Sequence, residues 1–151
     1  MSAAELFFEV NGFLAKKSGR TALLIEPSLL EQNRLRRSLQ REGFERVLQA
    51  EDGPTGVTLM ATEPVDLVLT RWDTAGISGL ELLQALRKRG RNRHVPVVVL
   101  DGGLPRQTIV SAIKAGVAGR LPLPLEPGSL REVLQSILPP LLPLSKDRPL
   151  G

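Results

Sequence analysis

Three short runs, Leu23 to Ile25, Leu67 to Leu69 and Val97 to Leu100, are apolar without a break, and segments with amphipathic-helix spacing lie between and after them. A strand with one wet face alternates apolar and polar positions, so uninterrupted runs of this length predict strands covered on both faces. Residues 21–27 (TALLIEP) hold the first strand. The helix predicted over 28–44 has Ser28 and Glu31 at capping-box spacing, Leu35 and Leu39 facing inward, and Gly43 as its stop. RVLQA (46–50) and GPTGVTLMATE (53–63) form a second strand and helix, and VDLVLT (65–70) a third strand. SGLELLQALRKRG (78–90) repeats the capping pattern: Ser78 is the cap, Glu81 stands three later, Leu83 and Leu86 face inward, and Gly90 ends the helix. A strand at VPVVVL (95–100), a helix over 105–116 opened by Pro105, a weak strand GRLPL (119–123) and a last helix over 127–138 complete the series. Alternating strands and helices of this kind predict an α/β fold, a five-stranded parallel sheet wound on both faces.

The flanks differ in pattern. Residues 2–14 predict an extra amphipathic helix, with Ser2 and Glu5 at its start and Leu6, Phe7, Val10, Phe13 and Leu14 as its apolar side. Residues 139–151 carry too many prolines for a helix and are expected to form an extended tail or linker. Three regions result: 1–19 as helix and linker, 20–138 as the folded domain, and 139–151 as the tail.

Composition removes several functional classes. The chain of 151 residues has no cysteine and one histidine, so thiolate metal sites, disulfides and histidine-rich clusters are excluded. No apolar run reaches the ~18–20 residues of a membrane span. The N-terminal lysines follow the apolar stretch instead of preceding it, the wrong order for a secretory signal, and a cytoplasmic protein is expected. The net charge of +4 and the absence of tyrosine give little to a nucleic-acid surface, and direct nucleic-acid binding is not expected.

In a sheet of this class, chemistry gathers beyond the carboxyl ends of the strands. Those positions are Glu26, Pro27, Arg71, Asp101, Gly102, Leu123 and Pro124. Magnesium asks for several converging oxygens, yet Pro27 supplies no side-chain oxygen and Arg71 would repel the ion. Phosphoryl transfer to an aspartate needs an acceptor carboxylate, a metal and a cation, and no carboxylate ends the third strand. His94 stands at the far end of its strand and is expected in a loop. Arg71 has two open readings: it bridges Glu26 and Asp101, or it points outward unpartnered. Trp72 is likewise either a loop anchor or part of a partner surface.

The segments ALLIEPSLLEQNRLRRSLQREGF, EDGPTGVTLM, PVDLVLTRWDTAGISGLELLQAL, VPVVVLDGG and AIKAGVAGRLPLPLEPGSLREVL together resemble the receiver (CheY-like) domain of bacterial two-component response regulators, over residues 21 to 138. The resemblance implies the flavodoxin-like (βα)5 arrangement. It places the family's first-strand acids on Glu26 and Pro27 and the phosphoacceptor aspartate on Arg71. The switch hydroxyl falls on Asp101, the aromatic switch on Arg120, and the lysine and its proline on Leu123 and Pro124. Fold-shaping positions match well: Pro64, Asp66, Gly76, Gly79, Ala115 and Gly116.

This pattern is that of a pseudo-receiver, with the scaffold kept and the aspartyl-phosphate site lost. The expected function is a phosphorylation-independent protein–protein interaction module of bacterial signalling or cell polarity, without enzymatic activity, metal or cofactor. One alternative is the regulatory part of a longer regulator whose C-terminal portion binds DNA or another effector; another is an atypical receiver phosphorylated on Asp73 or Asp101. The candidate interaction residues are Arg106, Lys114, Arg120 and Arg131 on the last two helices and fifth strand, with Phe7 and Phe13 from the N-terminal segment. Partners are other signalling or polarity proteins, with a homodimer open. The basic run RKRGRNR (87–93) reads as a solvated helix end or a patch for an acidic partner.

Overall fold

The computed structural model describes residues 19–88 and 92–137. The expected N-terminal helix with Phe7 and Phe13, the stop at Gly90 and the proline-rich tail lie outside the described residues. In chain order the elements are β1 (Thr21–Ile25), α1 (Leu29–Arg41), β2 (Arg46–Ala50), α2 (Gly53–Thr62), β3 (Leu67–Arg71), α3 (Gly79–Arg87), β4 (Val97–Asp101), α4 (Arg106–Ala115), β5 (Gly119–Pro122) and α5 (Ser129–Ile137). The strands form one parallel sheet in the order β2-β1-β3-β4-β5. Strand order reverses between β1 and β3, which opens a crevice beyond their carboxyl ends.

The continuous apolar runs divide between two cores, one on each side of the sheet. Leu23, Ile25, Val68, Val97 and Val99 pack with Met60, Leu82, Leu83, Leu86 and Ala112 of α2, α3 and α4. Ala22, Leu24, Leu67, Leu69, Val98 and Leu100 pack with Leu35 and Leu39 of α1 and with Leu130 and Leu134 of α5. Neighbouring residues of one strand thus serve opposite faces, which is why no polar position interrupts them. Each of the leucine, isoleucine, valine and methionine side chains among them contributes about 1.5–3 kcal/mol on leaving water. The edge strands β2 and β5 are only partly covered.

Local signals set the element ends. Ser28 caps α1 by accepting the Glu31 N–H at 3.3 Å, and Ser78 caps α3 with the full reciprocal box to Glu81. The α1 box is only half made, because the Ser28 N–H goes at 2.9 Å to the Glu26 carboxylate instead of Glu31. Gly116 closes α4 at φ +112°, a left-handed conformation that favours glycine. Asp66 accepts the Thr21 N–H at 2.8 Å, tying the start of β3 to β1.

The basic run after α3 departs from both expected readings at two residues. Asn92 is buried; its amide donates to the carbonyls of Met60 and Glu63 at 2.8 and 2.6 Å and accepts the Val65 N–H at 3.1 Å. Arg87 donates to the Val95 carbonyl at 2.6 Å. Both satisfy backbone groups that would otherwise be unpaired, leaving Lys88 and Arg93 as the exposed cations among the described part of the run.

Candidate functional site

Glu26 follows the last residue of β1 and is 1% exposed. Its backbone is fixed from behind: Gln32 donates to the Glu26 carbonyl at 2.6 Å and accepts from Gln49 at 2.6 Å. Its carboxylate divides its oxygens, Oε2 taking the Ser28 N–H and Oε1 taking Arg71 Nε at 2.6 Å. Arg71 is itself the last residue of β3, one position further into the strand than the apolar pattern predicts. A carboxylate this deeply buried needs a counter-charge, and the guanidinium supplies it. Of the two readings left open for Arg71, the bridging one holds for Glu26 alone.

Asp101 has a different partner. As the last residue of β4, it accepts the N–H groups of Gly103 and Leu104 on Oδ1, at 2.9 and 2.7 Å, and Arg120 Nε on Oδ2 at 2.6 Å. The Arg120 hydrogen bond, aided by the two backbone donors, holds the Asp101 carboxyl below its ordinary range. The reading in which Arg71 bridges both Glu26 and Asp101 is therefore corrected to two separate ion pairs. Arg120 is near enough to capture Asp101 along the sheet, and Arg71 is committed to Glu26.

Arg71 also rests on Gly102. A Cβ at Gly102 would stand 2.7 Å from Arg71 Nη1, so glycine leaves the space that the guanidinium occupies. Gly102→Ala is expected to cost about 1 kcal/mol. That cost should disappear in an Arg71→Leu background, and a cost independent of residue 71, measured by urea unfolding, would show that the contact is not what the glycine serves.

Trp72 is an anchor. It is 7% exposed and lies against Gly79 in the core beneath the β3–α3 loop. His94 is exposed, remote from the crevice, as expected of a loop residue. Pro27 and Pro124 are exposed at the rim and Leu123 is partly buried, with a cis peptide joining Leu123 and Pro124. Arg106 and Lys114 are exposed on α4. Arg131 is bound to Glu42 at 3.0 Å, an ion pair that fastens α5 to the end of α1. Among residues sequence reasoning did not single out, Asp52 caps α2 by accepting the Thr55 N–H at 2.8 Å; its place just before Gly53 and Pro54 was the available signal.

The donor set does not fit magnesium. Both Glu26 oxygens are engaged, one of them by the Arg71 guanidinium that would repel a cation, and Pro27 has no side-chain ligand atom. No cluster of three or more acidic or histidine side chains suited to a metal occurs among the described residues.

The family model of the response regulator receiver domain matches residues 22–135. The chain belongs to the receiver family. This receiver is 30% identical over 116 residues to the chemotaxis protein CheY of Pseudomonas aeruginosa, covering 76% of the chain and 94% of the relative. It is 30% identical over 116 residues to CheY-3 of Vibrio cholerae as well, covering 76% and 89%. Among solved structures, one similar fold is the receiver domain of a Pseudomonas aeruginosa sensor histidine kinase with magnesium coordinated in its active-site cleft. The TM-score is 0.70 at 23% identity, with 79% of this receiver and 97% of that chain covered. CheY4 of Vibrio cholerae gives 0.71 at 21% identity, covering 79% and 98%. No helix among the described residues is long and apolar enough to cross a membrane.

Proposed function

We propose that this receiver is a pseudo-receiver, a phosphorylation-independent module that works by binding other proteins of a bacterial signalling or polarity system. The observation that carries the proposal is the Arg71–Glu26 ion pair, which sets at the end of β3 a side chain that neither accepts a phosphoryl group nor favours a metal beside it. Pro27 and Leu123 support it, since neither offers a metal ligand or a charge for transferred phosphoryl oxygens. The substitute acceptors are poorly placed: Asp101 is buried with three donors on its carboxylate, and Asp73 is an exposed loop residue. The module is non-enzymatic and cytoplasmic in this proposal, needs no cofactor, and meets its partners through surface residues such as Arg106 and Lys114. Phe7 and Phe13 are further contact residues in this proposal, and residues 139–151 are a tail or linker.

Incubation with magnesium and acetyl phosphate, followed by intact-mass measurement, is expected to leave the protein unmodified. Arg71→Asp should remain unmodified too, because Pro27 and Leu123 are unchanged. A stoichiometric gain of one phosphoryl group by the native protein would overturn the proposal.

A further inference from the structure

Helix α4 is lightly anchored. Its one buried side chain is Ala112, whereas α1 buries Gln32, Leu35 and Leu39 and α3 buries Leu82, Leu83 and Leu86. Val110 and Ile113 of α4 are 40% and 55% exposed. Nor does α4 have a side-chain cap, since its N-cap residue is Pro105. Its leading end is held by Asp101, through the N–H groups of Gly103 and Leu104, and by the Leu104 side chain, which packs against the core.

That carboxylate is secured in turn from the edge strand. The β4–β5 register sets Val99 opposite Arg120 and Asp101 opposite Pro122, so Arg120 reaches diagonally forward by two residues to find Asp101. Val99 belongs to the core shared with Ala112 of α4, which places Arg120 and Asp101 on the α4 side of the sheet. Three pieces of chain therefore meet at one carboxylate: the end of β4, the loop that starts α4, and β5.

We infer that the Asp101–Arg120 pair is a latch that holds the β4–α4 loop and the head of α4 to β5, fixing how the exposed α4 face is presented. Releasing the latch frees a lightly anchored helix while β1 and β3 stay packed, because neither side chain belongs to the apolar cores that hold those strands. The latch goes beyond the pseudo-receiver proposal and does not depend on it.

The test is amide hydrogen exchange of the full chain, resolved by segment, in the native protein and two variants. Arg120→Met keeps an apolar stem and removes the charge; Asp101→Asn keeps an acceptor for the loop N–H groups and removes the charge on the other side. In both variants exchange across residues 102–116 is expected to quicken about threefold, with β1 and β3 unchanged; the modest factor reflects the exposure of Arg120, whose side chain is 47% accessible. Raising salt on the native protein should move the same segment in the same direction, which tests the latch even where a variant does not fold. Exchange that stays constant in 102–116, or that quickens equally in β1 and β3, overturns the latch. Neither outcome touches the intact-mass result, so the two proposals stand or fall separately.

Discussion

Arg71→Asp is expected to lower the stability of the domain by about 3–4 kcal/mol, and Arg71→Leu by about 2 kcal/mol. Breaking a buried ion pair typically costs about 3–5 kcal/mol because it strands the remaining charge. Here that charge is Glu26, with a side chain 2% exposed, and the estimate is reduced because the Arg71 side chain is 31% exposed and part of its charge is screened. Aspartate costs more than leucine because it adds a like charge beside a carboxylate that has already lost its counter-ion. Denaturant unfolding measures both. Equal stability for Arg71→Leu and Arg71→Asp would sink the account, since a buried Glu26 carboxylate left without its counter-ion requires a gap. Glu26→Gln introduced with Arg71→Leu should recover part of the loss, with a coupling of about 0.5–3 kcal/mol expected for residues in contact.

The second large effect is expected at Gly79. Alanine there should cost about 3 kcal/mol or more, because its methyl collides with two parts of Trp72: the ring and the carbonyl oxygen. A ring can turn aside, but a backbone oxygen at the end of β3 moves only with the strand and loop around it. Gly102 offers the contrast, because a methyl there meets only the tip of Arg71, a long side chain that can shift. Trp72 is the sole tryptophan, so its fluorescence reports the change without added probes. Thermal unfolding of Gly79→Ala within about 0.5 kcal/mol of the native protein would mean that the loop yields more easily than the packing allows.

These effects show which parts of the molecule the linear chain reveals. The parallel sheet was legible because two-sided burial leaves an unmistakable run of apolar residues in β1, β3 and β4, and the caps were legible because Ser28 and Ser78 act within a few residues. The strand-end positions were legible too, including Glu26 and Arg71 as possible partners. What the sequence hid is competition among nearby groups. Arg120 looked like a surface cation, and only the diagonal across two strands shows it taking Asp101. The Glu26 carboxylate similarly took the Ser28 N–H that capping-box spacing assigned to Glu31. Asn92 was masked by the arginines around it, because charge dominates a reading of that run and burial is invisible there.

The Arg71–Glu26 pair has a further consequence for time. A phosphoryl group on an aspartate is added and hydrolysed, so a domain that uses one carries a signal with a chemical lifetime. A guanidinium held by a carboxylate has no such clock: it is part of the chain as synthesised and needs no donor to install it. On the proposed function, then, the information this domain conveys is set by how much of it is made, where it is gathered, and which partner reaches it first.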